Sequence, residues 1–81
     1  MSLRLQPVQV ATGSAYQDGR LVFHECFLVA VLVQLSDDHE GEAGMWFLEA
    51  GFGPVDDPNP PTFANFDKAQ GWIERQLERA A

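Results

Sequence analysis

Cysteine is almost absent from this sequence, since Cys26 is its only one in 81 residues. A single cysteine excludes an internal disulfide, and proteins without disulfides are typical of reducing compartments. The first four residues, Met1 to Arg4, are not followed by the continuous apolar segment that a secretory signal contains. We therefore expect a cytoplasmic protein, and its length predicts a single small domain, residues 1–81.

Basic residues and long apolar runs are also scarce. Five Lys and Arg residues stand against twelve Asp and Glu residues, which gives a net charge of −7. Nucleic acids and anionic membrane surfaces both bind basic patches, so this balance argues against either partner. The longest apolar run, Phe27–Val33, has seven residues, whereas a membrane-spanning helix needs about 20. The composition predicts an acidic globular protein that binds neither nucleic acid nor membrane.

No motif in the sequence identifies a reaction or a cofactor. His24, Glu25 and Cys26 combine a base, a carboxylate and a nucleophile. In a strand, however, His24 and Cys26 would lie about 6.5–7 Å apart on one face. That distance is too long for the hydrogen bond that a catalytic Cys–His pair requires. We expect no catalytic role for these residues and no bound cofactor.

The richest polar cluster is the acidic segment Asp37–Glu42, with His39 in its centre. Carboxylates and an imidazole are ligands for Ca²⁺ or Zn²⁺. The spacing does not match an EF-hand that begins at Asp37, because its sixth position is Glu42 instead of glycine and its twelfth is Leu48 instead of glutamate. We interpret the segment as a solvated hairpin loop without a metal.

The apolar run Phe27–Val33 is typical of a strand, because it is short and rich in Val and Phe. Alternate side chains of a strand point to opposite faces. The odd-numbered positions carry the heavier apolar side chains, so the sequence predicts that they face the core. An interruption at His24–Cys26 indicates a bulge or a break, and a bulge would exchange the two faces on one side of it.

Other segments predict further strands. Leu3–Thr12 alternates loosely between apolar and polar residues, and Pro7 favours an edge position. Asp18-Gly19 is a favoured pair for a two-residue hairpin turn, so we expect the chain to reverse there. Met45–Phe52 is a third apolar strand, which we expect to run antiparallel to the strand containing Phe27–Val33.

The C-terminal part predicts a proline-rich connection, Gly53–Thr62, followed by a helix over Asp67–Arg79. Asp67 is a suitable N-cap and Gln70 lies at capping-box spacing. Apolar residues recur at helical spacing on one stripe, which includes Trp72, Ile73 and Leu77. We expect Trp72 to pack against Trp46 in the core.

Together these elements predict an α+β fold in which three or four antiparallel strands carry the helix on one face. The predicted core comprises Val8, Val10, Leu21, Phe23, Phe27, Val29, Val31, Val33, Trp46, Leu48, Phe52, Trp72, Ile73 and Leu77. A single helix covers one face of a sheet, yet the strands are apolar on both. The second face therefore requires another partner.

We expect this second face to be a dimer or partner surface, because large exposed apolar patches mark interfaces. Its predicted residues are Val22, Leu28, Ala30, Leu32, Met45 and Phe47, with Cys26 on the same side. The leading hypothesis is a homodimer, packed face to face or joined edge to edge, that acts as a non-enzymatic module binding a protein or peptide. The alternatives are a binding domain for a small apolar ligand and, last, an enzyme or metal-binding protein using His24, Cys26 or the Asp37–Glu42 loop.

Overall fold

The computed structural model describes residues 3–11, 16–35 and 44–80, which form a five-stranded antiparallel sheet and one C-terminal α-helix. The α+β prediction is confirmed, with one strand more than expected. The elements are β1 Leu3–Ala11, β2 Tyr16–His24, β3 Phe27–Gln34, β4 Trp46–Gly51, a 3₁₀ turn Gly53–Val55, β5 Thr62–Phe63 and α1 Phe66–Ala80. The additional strand is β5, which pairs two residues at the end of the proline-rich connection with β4.

The strands lie side by side in chain order, so each is antiparallel to its predecessor. As predicted, β4 is antiparallel to β3, and Val33 pairs with Phe47. The connections at residues 12–15 and 36–43 lie outside the described residues. The predicted solvated loop Asp37–Glu42 therefore lies outside the described residues.

The predicted turn at Asp18-Gly19 is wrong, because both residues belong to β2 and pair with β1. Gly19 is buried, and a Cβ there would lie 2.7 Å from Val10 Cγ2 and 2.9 Å from the carbonyl oxygen of Leu32. Those distances are shorter than van der Waals contact permits. This glycine therefore serves close packing inside the sheet, a role that the local Asp-Gly pattern does not distinguish from a turn.

The chain reverses instead at Glu25-Cys26, where a break was expected. His24 pairs with Phe27, so the two residues between them form a tight hairpin loop. Glu25 has a φ of +58°. A positive φ at the first of two loop residues is the pattern of a type II′ turn, whose twist matches that of the flanking strands.

The assignment of the odd face to the core is also wrong. Val22 pairs with Ala30, but the next residue, Phe23, pairs with Leu28, so that Val29 is an extra residue at a bulge. The side chains of Val22, Ala30 and Leu32 are completely buried. Alternation shows which residues share a face, but it does not show which face receives the helix.

The core lies between one face of the sheet, which we call the inner face, and α1. It contains Val22, Val29, Ala30, Leu32, Trp46, Leu48, Val55, Phe63, Ala69 and Ile73, with Leu3, Leu5, Phe66, Trp72 and Leu77 packed at its margin. Five predicted core residues are among the buried ones, namely Val29, Val33, Trp46, Leu48 and Ile73. Phe27 and Phe52 are wrong predictions, since they are 65% and 46% exposed at strand ends.

The helix covers Phe66–Ala80 and so confirms the predicted segment to within one residue at each end. Its N-cap is Asn65 instead of Asp67, because the Asn65 Oδ1 accepts a hydrogen bond of 3.0 Å from the Lys68 backbone N–H. Asp67 lies in the first turn, where a negative charge complements the helix dipole.

The two tryptophans pack against phenylalanines and not against each other as predicted. The rings of Trp46 and Phe66 have centroids 4.2 Å apart, and those of Phe63 and Trp72 are 5.7 Å apart. The first pair joins the start of β4 to the start of the helix. The second joins β5 to the next turn of the helix, so β5 helps to hold α1 on the inner face.

Candidate interaction surface

The opposite side of the sheet, which we call the outer face, is defined by the strand pairing. Directly paired residues share a face, and successive pairs along two strands point to opposite faces. Since the pair Val22–Ala30 is buried on the inner face, the neighbouring pairs lie on the outer face. Its residues are Arg4, Gln6, Val8, Val10, Leu21, Phe23, Leu28, Val31, Val33, Phe47, Ala50 and Thr62.

Apart from Val10 near the end of β1, these side chains form three rows across the sheet. The central row runs through Gln6, Leu21, Val31 and Ala50. A row towards one end contains Arg4, Phe23 and Leu28. The row towards the other end contains Val8, Val33, Phe47 and Thr62, with Gly19 between Val8 and Val33. Four neighbouring strands therefore contribute apolar side chains to one continuous surface.

The outer face is packed within itself although the helix does not cover it. Val33 is only 2% exposed, yet it does not belong to the core under the helix. Gly19, its partner on β2, has no side chain, and the methyl groups of Val8 and Val10 lie over that position. Most of the other apolar side chains are half-buried. The outer face is thus a layer of apolar side chains that pack against one another.

Arg4 is the one charged residue among the paired residues of the outer face. Its guanidinium carbon lies 4.3 Å from the centroid of the Phe23 ring, which is cation–π geometry. None of the paired outer-face residues is a carboxylate, although the whole chain carries twelve Asp and Glu residues. Glu49, which is exposed, has no partner in the pairing, because the register between β3 and β4 shifts at that point. The paired residues of the outer face therefore present mainly hydrocarbon.

The predicted partner surface is only partly on the outer face. Leu28 and Phe47 lie there and are half-buried, and Met45 is half-buried just before β4. Val22, Ala30 and Leu32 are instead buried beneath the helix, so their assignment to an exposed surface is wrong. The physical reason is that the helix packs on the sheet face that carries these three side chains, and not on the opposite face as predicted.

The sequence predicts Leu21, Phe23 and Val31 as core residues, whereas the structure places them half-buried on the outer face. One signal for the correct assignment was the small side chain of Ala30, which is fully buried in the cluster that also contains Ala69 of the helix. Small residues let a helix approach a sheet closely.

The residues considered for catalysis do not share one strand face. His24 is half-buried at the end of β2, whereas Glu25 and Cys26 are exposed in the turn that follows it. The described ranges contain no group of three or more His, Cys, Asp or Glu side chains that could hold a metal ion. The Asp37–Glu42 segment lies outside those ranges.

The two edges of the sheet are poor sites for adding another strand. β1 is one edge, and Pro7 in its centre has no N–H to donate to a neighbouring strand. β5 is the other edge, and it has two residues directly after Pro60 and Pro61. Short edge strands and proline are common means by which proteins prevent edge-to-edge association.

Arg20 closes the end of the inner face at which the helix begins. Its guanidinium carbon lies 5.4 Å from the Trp46 ring centroid and 5.1 Å from that of Phe66. Its Nη1 donates a hydrogen bond of 2.7 Å to the carbonyl oxygen of Gly19. The side chain is therefore engaged in packing the helix start, which explains a partly buried cation on this face.

Comparison with protein-family models, with curated proteins and with solved structures finds no match for this chain. In the part of the chain that the structure describes, no helix has both the length and the apolar character needed to cross a membrane.

Proposed function

We propose that this protein is a small, cytoplasmic, non-enzymatic interaction module whose outer face binds a protein partner. The observation that carries the proposal is the continuous apolar layer contributed by β1 to β4 on the side away from the helix. Apolar patches of this size on small proteins commonly mark binding surfaces.

The driving force for such binding is the removal of apolar surface from water. Each 100 Å² of apolar surface that a partner covers contributes about 2.5 kcal/mol before the entropic cost of association. The side chains already pack against one another, so little conformational entropy is lost when a partner covers them. A preformed apolar surface of this kind supports binding better than it supports chemistry.

The proposal can be tested with the full chain as bait and two matched charge substitutions. Leu21→Glu places a carboxylate in the central row of the outer face. Phe27→Glu places the same charge on an apolar side chain that is already 65% exposed and lies off that face. We expect the wild type and Phe27→Glu to retain the same protein in a 1:1 ratio, and Leu21→Glu to lose it.

Hydrogen exchange of the purified complex then locates the contact. Slower exchange confined to β1 to β4, without a change in α1, supports the outer face. Equal retention by all three baits contradicts the proposal. An apolar small molecule that native mass spectrometry finds bound to the wild type, in place of a protein, would favour the ligand-binding alternative.

A further inference from the structure

We infer that the protein covering the outer face is a second copy of this chain, so that two sheets pack face to face with their helices outward. This inference rests on the proposed function, because it names the partner of the same surface. Its support comes from the sheet edges, from the size of the face and from the distribution of charge.

The edges decide between the two forms of dimer that the sequence leaves open. In an edge-to-edge dimer, two strands would pair through their free N–H and C=O groups. At β1, Pro7 removes a donor from the middle of the nine-residue strand, and β5 offers only two residues behind two prolines. Residues 48–51 of β4 extend beyond β5 at this edge, but the backbone of the 3₁₀ turn at Val55 lies against Gly51. The outer face is therefore the larger surface through which two copies can associate.

The outer face is large enough for a dimer at the lower end of the usual range. Four strands about 4.8 Å apart, with about seven residues each at ~3.4 Å, give a projected area of roughly 450 Å². Two copies would thus bury on the order of 1,000 Å², which is about the minimum for a specific interface. Interfaces of this small size are typical of weak, reversible complexes, so we expect a dissociation constant on the order of micromolar.

The distribution of charge favours a second copy over a charged partner. With a net charge of −7, two copies repel each other wherever their acidic residues come close. The paired residues of the outer face include no carboxylate, so face-to-face packing brings no two carboxylates together at those positions. A basic partner would find no carboxylate to pair with there, whereas homodimer interfaces are typically the most apolar class.

Two-fold symmetry assigns specific residues to the centre of the contact. Two sheets in a sandwich pack about 10 Å apart, with their side chains interdigitated. The central row, with Leu21 and Val31, would lie nearest the axis, and Arg4 would remain at a corner. A charge introduced in the central row of one copy would thus meet the same charge in the other copy.

Sedimentation velocity of the purified full chain, from about 1 to 300 µM, tests this inference directly. We expect the wild type and Phe27→Glu to shift from monomer to dimer over this range. Leu21→Glu should weaken association by on the order of a hundredfold, because like charges would be desolvated together. Phe47→Lys, in a different row and of opposite charge, should weaken it as well.

Circular dichroism shows whether each variant is folded, and Phe47→Lys serves as the test if Leu21→Glu is not. A wild type that remains a monomer of 9.0 kDa throughout overturns the inference. If that monomer still captures a different protein through Leu21, the inference fails but the proposed function stands. If neither Leu21→Glu nor Phe47→Lys weakens the dimer, and Leu21→Glu still captures a protein partner as the wild type does, both the inference and the proposed function are overturned.

Discussion

At the scale of single residues, Gly51, the last residue of β4, is the described glycine with the least room for a side chain. A Cβ at this position would overlap the carbonyl oxygen of Val55, and it would lie 2.7 Å from the Val55 carbonyl carbon and 3.1 Å from the Asp56 nitrogen. Val55 is itself completely buried in the core. Because the clashing atoms are backbone, the 3₁₀ turn would have to move as a unit.

We therefore predict that Gly51→Ala lowers the free energy of unfolding by about 2 kcal/mol or more, since overpacking forces the backbone to shift. Gly71→Ala is the matched control. Its added Cβ would have the Arg75 Nη1 atom, at 3.6 Å, as its nearest neighbour beyond the helix backbone. Alanine is also the better helix former, so this change should stabilise by about 0.5–1 kcal/mol.

Urea unfolding followed by circular dichroism measures both changes at one protein concentration. Equal effects of the two substitutions would contradict the description of Gly51. Destabilisation by Gly71→Ala would show that the helix contacts a neighbour at that glycine. The open space around an added Cβ at Gly71 indicates that this glycine is not required for close packing.

At the scale of elements, the existence of the strands and the helix was largely predictable, whereas their turns and caps were not. The helix period of Trp72, Ile73 and Leu77 identifies α1 because burial on one stripe determines its spacing. The sequence predicts a hairpin turn at Asp18-Gly19, whereas the structure has it at Glu25-Cys26. Asp-Gly has the right local chemistry for a turn, but packing against Val10 outweighs it.

The turn between β2 and β3 provides the test at this scale. Glu25 has a left-handed φ of +58°, which is unfavourable for a residue with a Cβ, whereas Cys26 is not among the residues with positive φ. We predict that Glu25→Gly raises the free energy of unfolding by about 0.5–1 kcal/mol, because glycine relieves this strain. Cys26→Gly should lower it by about 0.5 kcal/mol, because it adds unfolded-state entropy without relieving strain.

Thermal unfolding under reducing conditions compares the two variants with the wild type. Opposite signs support a type II′ hairpin at Glu25-Cys26. A destabilising Glu25→Gly would mean that the carboxylate makes a contact worth more than the backbone strain, and the account of the turn would be wrong.

At the scale of the whole molecule, one helix and five strands leave an apolar sheet face that the described chain does not cover. If a second copy covers it, folding and association are linked, and stability depends on protein concentration. For a dimer that unfolds to two monomers, we predict that the Tm rises by roughly 4 °C per tenfold increase in concentration, from the usual unfolding entropy per residue.

Differential scanning calorimetry over two decades of concentration measures this dependence. Phe27→Glu should keep the slope of the wild type, and Leu21→Glu should lose it. A wild-type Tm that does not change with concentration would contradict a folded dimer in the range where sedimentation predicts one.

The sequence by itself determined the class of the fold, the helix, the apolar character of both sheet faces and the excess of acidic charge. These properties depend on composition and on local periodicity. Only the tertiary structure decided which face meets the helix. The chain reverses at Glu25-Cys26 and β3 has a bulge at Val29. With this pairing, Val22, Ala30 and Leu32 lie in the core. The outer face therefore carries Leu21, Val31 and Phe47. Alternation divides the side chains of a strand between two faces, but only tertiary packing decides which face the helix covers.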